Sequence, residues 1–346
     1  MAWPMLDGGV YLGVFDGHGA DGHLVASFVS ERLADLLRSS RDLSQQLVET
    51  NEQLRTAAVP SEFSGTTAIV ALLGHRQVTV ACVGDSRCVL GSAPVLLPAA
   101  HPGWRREAGA WLAAGGLRGL LGGARRAGWS ARALSQEQTC ALTSERERIQ
   151  QSGGLVMAVE DGRAERVWSC DADGRRTEGG LVMTRAMGHH ASWAEAAGVI
   201  ATPIVTEVAL CAADRCLILA SDGVWDVLSS AEVVALCEKN HPHGRAACRA
   251  IVRRAKSRWA ARAKGQGRDD VTAIVAYLPL NLNLPPGVST RLGSGFGSGA
   301  SEACTGCEVA HVAREVELEV PSEELAGGDS HPGSVALAAA PYEYKR

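Results

Sequence analysis

The most regular feature of the sequence is an apolar run that meets an aspartate in a glycine-containing turn. The run "GGVYLGVF" ends at Asp16, and the run "CLILAS" ends at Asp222. In "GRDDVTAIV" the order is reversed, because the turn that contains Asp269 opens the strand. A few residues after Asp222, Ser229 and Glu232 have the spacing of a capping box, which predicts that a helix begins there. The pattern therefore predicts three aspartates at the ends of buried strands.

Longer periodic segments predict two amphipathic helices and a hairpin. Residues 23–40 and 244–265 carry apolar residues at helical spacing, and the second segment is rich in arginine. The β-branched segments 64–74 and 77–91 are joined by a short turn and predict paired strands, the second of which breaks at Asp85. The apolar positions expected on the buried faces are Leu24, Phe28, Leu36 and Leu37 in the first helix, and Ile251, Ala255 and Trp259 in the second.

The composition is typical of a soluble globular protein. The 346 residues are 46% hydrophobic and 21% charged, and the net charge of −4 gives no reason to expect nucleic acid or an anionic membrane as a partner. No apolar run is long enough to span a membrane, and the N-terminal residues lack the features of a signal peptide. We expect an intracellular protein, cytoplasmic or nuclear, that is a monomer.

Two segments are expected to lie outside the core of a single folded domain at residues 1–280. Residues 93–133 hold six arginines against one glutamate with no sustained period, and we interpret them as a surface insertion. Contact with a membrane or an acidic partner is the lesser alternative for this segment. Residues 281–346 are predicted to form a low-complexity, disordered tail.

The ten cysteines are scattered between Cys82 and Cys307, and we interpret them as reduced thiols. Cys304 and Cys307 have the spacing of a redox or metal-binding pair, but no second pair accompanies them. We therefore expect no cysteine-based site.

The three strand-end aspartates have the chemistry of a divalent metal site. Mg²⁺ and Mn²⁺ prefer carboxylate, carbonyl and water oxygens, and strand ends hold such ligands rigidly. Gly17 lets a backbone carbonyl approach a metal closely, and the imidazole of His18 suits a general acid because it titrates near neutral pH. Asp85 is interpreted as a structural turn residue that accepts backbone hydrogen bonds.

The segments "VFDGHGADG", "SGTTAIVALL", "VACVGDSRCVLG", "ERERIQQSGG", "GGLVMTRAMG", "LILASDGVWDVLS" and "GRDDVTAIV" follow one another along the chain. In this order they resemble the motifs of metal-dependent protein phosphatases of the 2C type, a family of serine/threonine phosphatases. The resemblance covers about residues 9–279, apart from the insertion. It implies an α+β fold in which a β-sandwich of two antiparallel sheets is flanked by α-helices. It also implies two Mg²⁺ or Mn²⁺ ions in a cleft at one edge of the sandwich.

The resemblance implies roles for individual residues as well. Asp16 is similar to the catalytic carboxylate that both metals share, and Gly17 to the carbonyl ligand. Asp222 and Asp269 match the other two aspartate ligands, and His18 matches the general acid. By this likeness, a water activated by both metals attacks the phosphorus of phosphoserine or phosphothreonine, with no covalent intermediate.

Departures from the family pattern predict weakened activity. The family begins with a strand that carries a phosphate-binding arginine and an acidic residue, whereas this chain starts directly before "GVFDGHG". We therefore expect an unpaired sheet edge and a raised KM, and the substrate-binding residues are not identified. If the chain were nevertheless fully active, Arg185 or an arginine of the insertion would have to hold the phosphate. Glu137 occupies the position of an aspartate that can hold a weaker third metal. His189 replaces an aspartate and favours softer metals than Mg²⁺.

The expected function is metal-dependent hydrolysis of phosphoserine and phosphothreonine in proteins, so that phosphorylated proteins are the expected partners. The alternative is a catalytically impaired relative that binds phosphoproteins or regulates a partner on the same fold. An unrelated nuclease or esterase built from strand-end aspartates agrees less well with the order of the motifs.

Overall fold

The structure is a computed structural model, and it describes residues 1–4, 9–74, 76–94, 128–158, 165–262, 269–278 and 309–312. The helices are α1 (Gly22–Leu36), α2 (Leu43–Thr56), α3 (Thr143–Gln151), α4 (Ser192–Ala196), α5 (Asp222–Trp225), α6 (Ser230–Asn240) and α7 (Gly244–Arg262). The strands are β1 (Ala2–Pro4), β2 (Val10–Val14), β3 (Gly17–His18), β4 (Gly65–Thr66), β5 (Ala68–Leu73), β6 (Gln77–Val83), β7 (Arg87–Ser92), β8 (Ser130–Ala133), β9 (Leu155–Met157), β10 (Arg166–Cys170), β11 (Arg176–Leu181), β12 (Met187–Gly188), β13 (Ile204–Ala209), β14 (Asp214–Ala220), β15 (Ala273–Tyr277) and β16 (Val309–Val312).

Two five-stranded antiparallel sheets form the scaffold. Their strand orders are β1-β2-β5-β6-β13 and β16-β15-β14-β7-β8. Two smaller three-stranded sheets have the orders β11-β10-β9 and β12-β4-β3. The predicted α+β fold with two antiparallel sheets is confirmed. The predicted hairpin is also present as β5 and β6, and the break at Asp85 separates β6 from β7.

The central strands β2, β5, β14 and β15 are buried on both faces, which explains why they read as continuous apolar runs. On β5, Ile69 belongs to the cluster that also contains Leu217 and Leu219 of the other sheet. The neighbouring Val70 belongs instead to the cluster that contains Val29 of α1. Successive side chains of a strand point to opposite faces, so each strand contributes to two cores.

The sequence predicted the buried face of α7 correctly and that of α1 only in part. In α7, Ile251 and Ala255 are fully buried, as predicted, and Trp259 packs at the edge of the same cluster. In α1 the buried stripe consists of Val25, Val29, Leu33 and the following Leu37, with Phe28 and Leu36 half-buried. Leu24 is 42% exposed, so its predicted burial is wrong.

Each of the two five-stranded sheets has an edge strand that the sequence did not predict, β1 in the first sheet and β16 in the second. Ala2–Pro4 pairs with β2 in the register Ala2 to Leu12, so the expected unpaired edge beside β2 is wrong. Val309–Val312 pairs with β15, which places four residues of the predicted tail in the second sheet. The rest of residues 279–346, including the Cys304 and Cys307 pair, lies outside the described residues. None of the eight cysteines within the described ranges forms a disulfide bond.

The end of the predicted insertion belongs to the scaffold. Ser130–Ala133 forms β8, which pairs with β7 so that Ser130 lies opposite Ser92. The ring of Trp129 packs edge-on against His241 and Tyr277, at centroid distances of 5.4 and 6.4 Å. Residues 95–127 lie outside the described residues. In the described parts of the chain, no helix is long and apolar enough to cross a membrane.

We expect that deleting residues 95–127 leaves a stable fold. The deletion joins β7 to its neighbour β8 through the four residues 93, 94, 128 and 129, a length that antiparallel hairpins accept. Because each halving of a loop removes about 0.6 kcal/mol of closure cost, the melting temperature should stay level or rise. Trp129→Ala in the full chain is the matched control and should lower it. A deletion variant with a lower melting temperature or soluble yield would contradict this view of the insertion.

Candidate metal centre

The ends of β2 and β14 bring two aspartates into contact. The carboxyl groups of Asp16 and Asp222 lie close enough to share a hydrogen bond when one of them is protonated. The backbone fixes this position, because the N–H of Asp16 donates to Thr67 Oγ1 at 3.1 Å and the N–H of Thr67 donates to the Asp16 carbonyl at 2.9 Å. Thr67 Oγ1 also bonds to Ser86 Oγ at 2.9 Å, beside the break between β6 and β7.

Asp269 joins this pair through the pairing of β14 with β15. The N–H of Ser221 donates to the carbonyl of Thr272 at 3.1 Å, and its hydroxyl donates to the carbonyl of Asp270 at 3.1 Å. These bonds hold the turn before β15 against the end of β14, where Asp222 begins α5. The three predicted aspartates therefore meet in space, and their role as metal ligands stays a prediction.

Two further aspartates that the sequence analysis did not assign to the site face the same place. Asp85 is only 6% exposed, and the charges of Asp222, Glu137 and Asp226 all act on it. Asp226 lies four residues after Asp222, a spacing that puts two side chains on one face of a helical turn and could have revealed it. We call Asp16, Asp85, Asp222, Asp226 and Asp269 the acidic cluster.

Burial raises the pKa of every member of the acidic cluster, and the charges of nearby carboxylates add to it. Burial is the larger cause for Asp16, whose pKa lies well above its ordinary value, and the charges of Asp222, Asp269 and Asp85 add to it. The same causes raise the pKa of Asp222 to about 6 and that of Asp85 to about 8. Asp226 and Asp269 lie at the exposed rim, and their pKa values are raised as well. At Asp226 the added repulsion comes from Glu137, and the charges of two arginines oppose the shift.

Gly17 is required by close packing. A Cβ atom at this position would lie 2.3 Å from the carbonyl oxygen of Gly22 at the start of α1. The contact fixes where α1 begins. The glycine therefore has a structural reason that is independent of metal binding, and the role of its carbonyl as a ligand stays a prediction.

His18 lies beside the acidic cluster on β3. Burial lowers the pKa of its imidazole to about 4, although a hydrogen bond with the backbone of Asp16 opposes the shift. The premise that this ring titrates near neutral pH is therefore wrong for the chain alone, because the sequence does not show burial. Its Nε2 is buried and has no hydrogen-bond partner among the described residues. The general-acid role stays a prediction.

His189, the residue in place of an aspartate, lies against His18. Its ring stacks on the ring of His18 with centroids 4.8 Å apart and planes inclined by 15°. The lone pair of an imidazole nitrogen lies in the plane of the ring, so two parallel stacked rings cannot both direct a lone pair at one ion. This geometry gives no support to a shared site for a softer metal.

Two arginines near the site already form ion pairs with glutamates. Arg87 forms an ion pair with Glu137 and donates to Ser230 Oγ at 3.1 Å, so the predicted third-metal ligand is held by a cation. Arg185 donates to both carboxylate oxygens of the buried Glu145, at 3.0 and 2.6 Å. Burial alone would raise the pKa of Glu145, but hydrogen bonds from Arg185 and its neighbours hold it at about 2. Arg185 is therefore a structural residue here, which disfavours it as the phosphate ligand.

The donor set suits a hard divalent cation in its chemistry. Asp222 Oδ1 is buried and lacks a hydrogen-bond partner within the described ranges, and its neighbours are carboxylates that repel it. A cation would satisfy that oxygen and offset the repulsion. Among the side chains that the structure describes, no group of three or more His, Cys, Asp or Glu residues is arranged so that it could hold a metal ion as it stands. The carboxylates of the acidic cluster would have to adjust their positions for an ion to bind.

Comparison with known proteins agrees with this fold. Residues 7–95 and 113–263 match the family model described as Protein phosphatase 2C. The chain is 30% identical over 286 residues to "Probable protein phosphatase 2C 72" of Arabidopsis thaliana, covering 77% of this chain and 76% of the relative. It is 33% identical over 300 residues to "Probable protein phosphatase 2C 48" of Oryza sativa subsp. japonica, covering 78% and 76%.

A solved structure shares the fold. The crystal structure of serine-threonine phosphatase 2C from Toxoplasma gondii superposes with a TM-score of 0.54 at 22% identity, covering 78% of this chain and 84% of that one. The family match and the curated relatives define the class as serine/threonine protein phosphatases. The chain belongs to the protein phosphatase 2C family.

We expect the stability of the protein in chelator to fall between pH 7 and pH 8. Asp85 has a pKa of about 8 in the folded chain and 3.8 as an unperturbed group, so the folded state holds a proton that the unfolded state has released. Stability then decreases as the pH rises through the folded pKa. Asp85→Asn should weaken this decrease, as measured by melting temperatures in EDTA.

The exposed Asp173 provides the matched control, since Asp173→Asn should keep the slope of the wild type. Buried thiols add a slope of their own at higher pH, but they do so in all three proteins. Equal slopes in the wild type and Asp85→Asn would show that Asp85 carries no excess proton.

Proposed function

We propose that the chain hydrolyses phosphoserine and phosphothreonine in proteins, with divalent cations bound at the acidic cluster. The observation that carries the proposal is the convergence of Asp16, Asp222 and Asp269 from three separate segments, with raised pKa values and an unsatisfied oxygen. Membership of the protein phosphatase 2C family supports the class of reaction. Phosphorylated proteins are the corresponding substrates.

The proposed ligands of two Mg²⁺ or Mn²⁺ ions are Asp16, Asp222, Asp269 and the carbonyl of Gly17. Asp226 and Glu137 lie at the rim, where their carboxylates would suit a weaker third ion. Bound divalent cations supply an acidified water and offset negative charge on phosphoryl oxygens. The chain itself places the carboxylates on rigid strand ends, so the adjustment that a cation requires is confined to side-chain torsions.

His18 is the proposed acid for the leaving alkoxide. Its ring bonds to the backbone of Asp16, two residues earlier, and its buried Nε2 lacks a hydrogen-bond partner among the described residues. We infer that an oxygen of the substrate becomes that partner. The ring is neutral in the chain alone. A phosphate dianion beside it favours the protonated ring, since an opposite charge nearby stabilises the charged form.

The second candidate function is phosphoprotein binding without turnover. Two observations favour it: His189 supplies a ring where the family has a carboxylate, and Arg185 is tied to Glu145. Both leave the centre with fewer groups for substrate or metal. A phosphothreonine peptide with saturating Mn²⁺ separates the two functions, because binding without release of phosphate would favour this candidate.

We expect Asp222→Asn and Asp269→Asn each to lower kcat/KM for a phosphothreonine peptide with Mn²⁺ by about 100-fold or more, as is usual when a group that stabilises developing charge is removed. Both variants should fold. Their melting temperatures in EDTA should equal or exceed that of the wild type, because each loses a repelling carboxylate.

Asp270→Asn is the matched control, since it makes the same change one residue away from Asp269. Its activity should stay within a few-fold of the wild type. If Asp269→Asn and Asp270→Asn were equally active, Asp269 would not be a ligand. If Asp222→Asn kept full metal-stimulated activity, the acidic cluster would not be the metal centre.

A further inference from the structure

The small sheet β12-β4-β3 places two histidines on either side of one glycine. In its register Gly65 of β4 lies opposite His18 on one side and opposite Gly188 on the other. A Cβ atom on Gly65 would lie 2.5 Å from Cδ2 of His189 and 2.8 Å from its Nε2. The absence of a side chain at Gly65 therefore leaves the space through which the ring of His189 reaches His18.

The contact between the two rings is face to face. Their centroids are 4.8 Å apart and their planes are inclined by 15°. The other side of His189 meets the ring of Trp193 edge-on at 6.2 Å. The backbone is anchored at the same place, because the N–H of His189 donates to the carbonyl of Ser64 at 3.0 Å. His189 is thus held between a tryptophan and the imidazole at the acidic cluster.

A histidine at this position is costly to the fold. It is 4% exposed, and neither ring nitrogen has a hydrogen-bond partner in the described parts of the chain. Its φ of 53° lies in the left-handed region, which is unfavourable for residues with a Cβ. Burying unpaired polar atoms and straining the backbone both lower stability. Losses of stability of this kind are found at positions where the side chain contributes to function.

The orientation of His18 needs such support. The torsion that turns an imidazole about its Cβ–Cγ bond has a broad potential, so a ring with an unpartnered nitrogen is poorly fixed by its own chain. The hydrogen bond with the Asp16 backbone fixes one side of the ring. A parallel ring on its face opposes the rotation that would turn Nε2 away, because turning would drive the ring of His18 into that of His189.

We propose that His189 is a positioning residue that holds the imidazole of His18 in one orientation by stacking on its face. The inference rests on the proposed function and deepens it. It assigns the step that His189 affects, which is proton donation to the leaving alkoxide. His189 touches neither substrate nor metal in this role, and the shape of its ring matters more than its nitrogens.

The test compares His189→Asn with His189→Phe. Asparagine tolerates a positive φ and removes the stacked ring, whereas phenylalanine keeps a ring of similar shape without nitrogens. The substrates are N-acetylphosphothreonine amide, with a poor alkoxide leaving group, and p-nitrophenyl phosphate, with a good one. General acid help matters most for the poor leaving group. His190→Asn is the matched control, because His190 bonds to Ser61 Oγ at 2.9 Å and lies outside the stack.

We expect His189→Asn to lower kcat for the phosphothreonine compound about 10-fold, a part of what a general acid contributes, and that for the aryl phosphate less than about twofold. His189→Phe and His190→Asn should stay within about twofold of the wild type on both. His18→Ala should show the same split as His189→Asn, but larger. If His189→Phe fails to fold, the comparison of His189→Asn with His190→Asn decides the question.

A second readout does not depend on turnover. In NMR spectra of the ¹³C-labelled protein, the ring protons of His18 should move downfield in His189→Asn, because a stacked ring shields them, and should keep their positions in His190→Asn. Equal losses on both substrates, or unmoved His18 signals, would overturn the positioning role while the proposed function stands. A wild type that releases no phosphate from either substrate with Mn²⁺ would overturn the proposed function, and the positioning role with it.

Discussion

Five carboxyl groups held together at one end of a rigid sandwich are the constraint on which the rest of the structure depends. Burial and the charges of nearby carboxylates raise the pKa of each group, to about 8 for Asp85 and about 6 for Asp222. A divalent cation bound there would offset the repulsion. This unfavourable arrangement of like charges is the physical ground for the proposal that the acidic cluster is a metal site.

The sandwich holds this arrangement because the strands that carry the carboxylates also form its cores. β2 and β14 are buried on both faces, so a shift of either strand would disturb two cores at once. Short hydrogen-bonded bridges through Thr67 and Ser221 then fix the backbone next to Asp16 and Asp222. Rigid backbone is what a cluster of like charges requires, since flexible side chains would move apart and lose the ligand geometry.

Local patterns in the sequence were sufficient for the long central strands β2, β5, β6, β7, β14 and β15, for the capping box at Ser229 and for the meeting of Asp16, Asp222 and Asp269. They were not sufficient where a residue's partner is distant in the chain. Arg185 looked available because its partner Glu145 lies 40 residues away. The buried face of α1 was misplaced at Leu24 because the residues that the fold buries there, Val25 and Val29, pack in one cluster with Val70 of β5, which is distant in the chain.

The charged and buried surroundings of individual side chains could not be read from the sequence either. A buried aspartate in a turn reads the same in sequence whether backbone amides satisfy it or other carboxylates face it, so Asp85 was interpreted as structural. The pKa of His18 depends on burial between elements that only the fold brings together. The stack of His18 on His189 arises in the same way, from the register of a sheet whose strands are two residues long.

Counting bound Mn²⁺ tests the central claim most directly, because it needs neither a substrate nor turnover. Asp16 interacts with three other members of the acidic cluster, so its charge should matter most for binding. Electron paramagnetic resonance of free Mn²⁺, titrated with the wild type, should show about two ions bound per chain, as in two-metal hydrolytic sites. Asp16→Asn should fold and lose most of this binding. An Asp16→Asn protein that binds Mn²⁺ with the stoichiometry and affinity of the wild type would contradict the account.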